Sequence, residues 1–179
     1  GVYCLNAARH VFASEPEEAI AVTAAGEGDE RFAEVEEMIA TTLRFPKSRL
    51  AHFTASFGAE MSDMYRVVGT EGKIDVEPGF RFETPVRYRL TRGSKVVEKT
   101  FPHYDHFSGM TAYFSDCILK GQRPESDGGD GLNDVRAMLA IEAAARTGQP
   151  QKIVSAPRPS HPTLDMARSF PHAARRLVF

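Results

Sequence analysis

The sequence predicts an α+β domain, an open-faced and mostly antiparallel β-sheet with helices packed on one face. Three observations predict it. Apolar residues recur at helical spacing at the start of the chain and again beyond residue 105, while between residues 38 and 101 the period switches to two. The links between the period-two runs are short, which favours antiparallel pairing because parallel neighbours need a crossover of a dozen or more residues. Hydrophobic residues make up 42% of the 179 positions, enough for a core and too many for a disordered chain.

Residues 2–13 (VYCLNAARHVFA) place Val2, Leu5, Ala8, Val11 and Phe12 at helical spacing. Pro16, within Ser14-Glu15-Pro16-Glu17, supplies the stop, since a proline disfavours a helical residue before it. Residues 18–23 (EAIAVT) read as a strand, and the acidic stretch 26–37 as a solvated loop or edge. Ile39, Thr41, Leu43 and Phe45 share one strand face; after a turn at Pro46-Lys47-Ser48-Arg49, Ala51, Phe53, Ala55 and Phe57 share one face of the return strand. Two further strands, 64–68 and 73–77, flank Gly69-Thr70-Glu71-Gly72. A last hairpin, 86–91 with 95–101, turns at Arg92-Gly93-Ser94.

Two helices close the domain. Asp105 is the expected N-cap of the first, whose Phe107, Met110, Phe114, Cys117 and Ile118 fall on one face before Gly121 stops it. The second is expected from about 132 to 147, with Val135, Met138, Leu139 and Ile141 apolar and Gly148 as its stop. Residues 1–154 form the expected domain, and residues 155–179, with Pro157, Pro159, Pro162 and Pro171, an extended tail. Helices over one face of a six-stranded sheet leave the other, with Arg44, His52, Thr54 and Arg66, for a second subunit, so a twofold homodimer through the open face is expected.

The charge balance, 22 Lys+Arg against 24 Asp+Glu, argues against nucleic-acid binding. Apolar runs are too short to span a membrane, and nothing at the start reads as a signal peptide. Two cysteines, Cys4 and Cys117, make neither a disulfide framework nor a metal cassette, so a reduced, cytoplasmic setting is expected. Gly1, with no initiator Met, reads as a cut within a longer protein. Neither Gly26-Glu27-Gly28-Asp29-Glu30-Arg31 nor Gly128-Gly129-Asp130-Gly131 has the strand–turn–helix setting of a nucleotide-binding loop, and both are expected to be loops. His103 and His106 lack a third metal ligand, and no nucleophile elbow is present. From the residues alone this is an α+β domain with an exposed sheet face and no self-contained active site.

The order of several motifs resembles a known family. Residues 1–6 (GVYCLN) with Ala8-Arg9, then Ser56-Phe57-Gly58-Ala59, then the run from Tyr65 through Arg66-Val67-Val68-Gly69-Thr70-Glu71-Gly72, and finally Gly-Leu-Asn-Asp-Val at 131–135 are similar to the glucose–fructose oxidoreductase / inositol dehydrogenase (Gfo/Idh/MocA) family over residues 1 to about 154. The resemblance implies the C-terminal half of a two-domain NAD(P)-dependent sugar oxidoreductase. On that reading NAD or NADP, a glycine fingerprint and a catalytic Lys belong to a missing Rossmann half, so the isolated chain binds no cofactor and is inactive. Of the family's catalytic motif, Tyr3 is the position that survives, where histidine is more usual. Removing a hydride from a sugar carbon requires a proton to leave the attached hydroxyl, and a phenol in hydrogen-bond reach takes or relays it, helped by a nearby ammonium. Asn6 and His10, three and seven residues on, share Tyr3's helical face and are expected to line the sugar pocket. The alternative is a non-catalytic dimerisation or sugar-binding module built on the same sheet.

Overall fold

The computed structural model describes residues 1–158 and 160–168. In chain order its elements are α1 (Val2–Phe12), β1 (Glu18–Ala24), β2 (Met38–Phe45), β3 (Arg49–Ser56), β4 (Tyr65–Gly69), β5 (Gly72–Val76), β6 (Arg87–Arg92), β7 (Lys95–Thr100), α2 (His106–Lys120), α3 (Gly128–Thr147) and β8 (Gln151–Lys152). The class is α+β and every strand pair is antiparallel. The ladders form two four-stranded sheets, ordered β3-β2-β1-β8 and β4-β5-β6-β7, rather than the single six-stranded sheet expected. The chain divides accordingly into two compact units, residues 1–60 with 125–162, and residues 61–124 with 163 onward.

In the first unit the period-two pattern sets the register. Leu43 sits opposite Ala19 on one side and Ala51 on the other, and Thr41 opposite Ala21 and Phe53, so the inward residues of three strands fall in rows. Against these rows α1 brings Leu5, and α3 brings Ala137, Ile141 and Ala144; with Phe45 and Ile153 they make one core. The α3 stripe differs from expectation. Ile141 is inward, but Val135, Met138 and Leu139 face outward, because the small Ala137 and Ala144 let the helix lie close on β1. Phe57 is also a correction: β3 ends at Ser56, and Phe57 beyond it is exposed. On the opposite face of the sheet, Ile20 and Val22 of β1 and Leu50 of β3 are exposed beside Thr42, His52 and Thr54, so this face is open.

Helix ends follow their local chemistry. Asp127 accepts hydrogen bonds from the amides of Gly129 and Asp130 and starts α3 at Gly128, so Gly128-Gly129-Asp130-Gly131 is its first turn and not a loop. Gly148 ends α3 in the left-handed conformation that only glycine adopts without penalty. The chain beyond is tied back. Buried Asn133 pairs with both backbone groups of Ala156, donating to its carbonyl at 2.9 Å and accepting from its amide at 2.7 Å. The described residues from 155 to 168 are irregular apart from a short 3-10 turn at Leu164–Met166; Pro159 and Pro171 lie outside the described residues.

In the second unit, Val67, Ile74, Leu90 and Val97 align across one face, and Arg66, Asp75, Arg89 and Glu98 across the other, an alternating charge row joined by the Arg66–Asp75 and Arg89–Glu98 ion pairs. Asp105 caps α2 as expected, accepting from the Ser108 amide at 2.9 Å. The α2 stripe departs from expectation: only Cys117 is buried, while Phe107, Met110, Phe114 and Ile118 are exposed.

Candidate functional site

Helix α1 carries all three expected site residues. Tyr3 stands in its first turn, 61% exposed, with its ring at the surface of the first unit. His10, two turns on, is exposed as well. Asn6 is placed differently. Its amide nitrogen donates to Asp134 at 3.2 Å and its oxygen accepts from Arg9 at 3.1 Å, so its side chain is committed to α3. The structure therefore leaves Tyr3 and His10 turned to solvent and holds Asn6 as a joint between α1 and α3.

That joint centres on a residue the sequence reading passed over. Arg9 is 1% exposed, and its guanidinium meets three carboxylates, Glu15 at 2.7 Å, Asp130 at 2.6 Å and Asp134 at 2.5 Å. Burial works against its charge, but the hydrogen bond to Glu15 and the charges of Glu15 and Asp134 outweigh it and hold the group firmly protonated. Arg158 of the tail joins the same cluster, bonding Glu125 and lying 3.2 Å from Asp130. The effect is to fix α1 on α3, and so to fix the helix whose first turn presents Tyr3. The signal available in sequence was positional: Arg9 is one turn beyond Leu5 on the buried stripe, and Asp130 and Asp134 are themselves one turn apart on α3.

Among the described residues, neither glycine segment offers a dinucleotide cradle. A pyrophosphate is held by free amides at a helix N-terminus. At the α3 N-terminus those amides are taken by the Asp127 carboxylate, and Asp130 adds a second negative charge. The other glycine segment ends in a 3-10 turn capped by Asp29. These residues do not fit a dinucleotide. Elsewhere, a cleft in the second unit is lined by Tyr104, Asp105, His106, Tyr113, Met166 and Arg168. His103 is engaged with the Phe82 carbonyl oxygen at 2.8 Å, and among the described residues no group of three His, Cys, Asp or Glu could hold a metal ion.

Comparison with known proteins settles the family. Residues 1–75 match the GFO/IDH/MocA C-terminal domain. The chain belongs to the GFO/IDH/MocA family. It is 34% identical over 148 residues to a D-xylose 1-dehydrogenase [NADP(+)] of Haloarcula marismortui, a match covering 82% of this chain and 41% of that protein. A D-xylose 1-dehydrogenase (NADP(+)) 2 of Haloferax volcanii is 27% identical over 150 residues, 83% of this chain and 45% of the relative. Among solved structures, the aldose-aldose oxidoreductase of Caulobacter crescentus, complexed with glycerol, superposes with a TM-score of 0.78 at 34% identity, over 86% of this chain and 46% of that one. The GFO/IDH/MocA chain thus spans less than half the length of each of these relatives.

Proposed function

We propose that this GFO/IDH/MocA chain is the substrate-binding and oligomerisation half of an NAD(P)-dependent sugar oxidoreductase, with Tyr3 as the residue that takes or relays the sugar hydroxyl proton. The observation that carries the reading is the placement of Tyr3. It stands exposed in the first turn of a helix whose own footing, through Arg9, Asn6 and Asp134, is buried and ion-paired. A residue that must meet a substrate outside its own domain needs both properties, an exposed side chain and a base that does not move. The relatives named above are sugar dehydrogenases and an aldose oxidoreductase, which supports a sugar as the substrate class.

On this reading the dinucleotide belongs to the part of the protein this chain lacks, and supplies the hydride acceptor there. The chain's own contribution is the proton: as C–H bond cleavage proceeds, the hydroxyl proton passes to the Tyr3 oxygen, which accepts it as the phenolate, the form a neighbouring ammonium group would favour. His10 lines the sugar side, and Asn6 acts by holding α1 in place. The open sheet face, with Ile20, Val22 and Leu50 exposed in one layer, is the surface for twofold association. That same face is what favours the second reading, a dimerisation module without catalysis.

Steady-state kinetics of the full-length parent decides between them, with D-xylose and NADP⁺ as the first pair to try. Tyr3→Phe keeps the ring and removes the proton-transfer group, so kcat falls by about 10²–10⁴-fold while KM moves little. An unchanged kcat returns Tyr3 to an ordinary surface residue and leaves the dimerisation module.

A further inference from the structure

The apolar face of α2 serves nothing described so far. Phe107, Met110, Phe114 and Ile118 follow at intervals of three, four and four residues, one stripe along the whole helix. Their exposures run from 54% to 66%, and Leu119 beside them reaches 83%. Phe107 meets the Phe82 ring edge-on at 5.2 Å, but among the described residues α2 has no extensive packing against the sheet of its own unit. At roughly 100 Å² each, five such side chains leave on the order of 500 Å² of apolar surface in water, as large as the largest patch of a typical monomer.

We propose that this stripe is the seat of the absent half of the parent protein, an interface between domains of one chain rather than between subunits. The proposal rests on the reading that the chain is one half of a two-domain oxidoreductase. Three observations choose this occupant. The relatives have more than half of their length outside the matched region, so there is a domain's worth of chain to be seated. Two faces of about 500 Å² make a contact of roughly 1,000 Å², within the range of intrachain domain contacts and short of the area of a standard stable dimer. On the reading proposed above, a second copy would take the open face of the first unit's sheet instead. Finally, the nearby charges Asp116 and Lys120 pair with each other at 3.0 Å, so the stripe offers an apolar partner no charge to compensate.

The test is Ile118→Glu made both in this 179-residue chain and in the parent, with thermal melts of each. In the chain alone the melting temperature stays within about two degrees and binding of an apolar dye such as ANS falls, because the side chain already faces water. In the parent the melting temperature drops by several degrees, because a charge is forced into a dry contact. A second variant, Leu119→Cys, guards against misfolding: peptide-mapped maleimide labelling of residue 119 is fast in the chain and at least tenfold slower in the parent. An equal loss of stability in the chain alone, a chain dimer that Ile118→Glu splits, or a parent that neither melts lower nor protects residue 119 overturns the proposal. The kinetics of Tyr3→Phe judge the catalytic reading separately, since a stability change at Ile118 with a normal Tyr3→Phe enzyme leaves the seat standing and removes the proton relay.

Discussion

The two units contain the same number of strands and differ in what they bury. In the first, nine buried apolar residues from α1, two strands, α3 and the residue after β8 form one cluster. In the second, Val76 and Cys117 alone are buried among the described apolar residues. Both sheets are built of antiparallel ladders, so the mode of strand pairing does not distinguish them. The difference is the cover. The first sheet has α1 and α3 lying on its inner rows; the second has loop aromatics, Phe80 against Tyr65 and Phe101 against Tyr88. A strand pattern therefore specifies a ladder, whereas a core also needs a second layer.

The sharpest way to break the first unit is to empty its core. Phe45→Ala removes a ring that is 1% exposed and packed edge-on to Phe12 at 4.8 Å, and should cost about 3–5 kcal/mol in chemical denaturation. Val97→Ala in the second unit, starting half-exposed, should stay within about 0.5 kcal/mol. Comparable losses at the two sites would erase the contrast drawn here.

A smaller effect is expected at the joint between α1 and α3. Arg9→Met keeps most of the side-chain volume but removes the buried cation shared by Glu15, Asp130 and Asp134, leaving Arg158 beside Asp130 as the cluster's remaining positive charge, at a cost of roughly 3 kcal/mol near neutral pH. The urea midpoint of Arg9→Met against that of the unaltered chain checks the size. A loss under about 1 kcal/mol would mean that the ion pairs contribute little beyond packing.

What could be read from sequence follows the same division. The strand faces apart from Phe57, the Asp105 cap and the glycine stops at 121 and 148 are local signals, and the structure has each of them. The break between two sheets was not legible, since it depends on whether β3 and β4 pair across the intervening residues, and periodicity carries no information about non-local pairing. Periodicity also shows which residues share a helix face without showing which face is covered. On α3 the larger apolar residues face outward and two alanines face inward, an arrangement set by the closeness of β1. Arg9 was missed for a related reason: arginine is rarely buried, and the three carboxylates that make burial tolerable come from two other segments. At the site, the outward placement of Tyr3 and His10 agrees with the helical spacing, while the inward commitment of Asn6 depends on Asp134, far along the chain.

Native-state hydrogen exchange on this chain tests the central contrast most directly, because it reads the opening free energy of each element within one molecule. The account predicts that amides of α1, β1, β2 and α3 exchange only through the largest opening the chain shows. Those of α2 and of β4–β7 should exchange through a smaller opening, by at least about 2 kcal/mol, equivalent to some thirtyfold in protection. Equal protection in both units, lost together as denaturant is added, would contradict it and show that the second unit is as complete in this chain as the first.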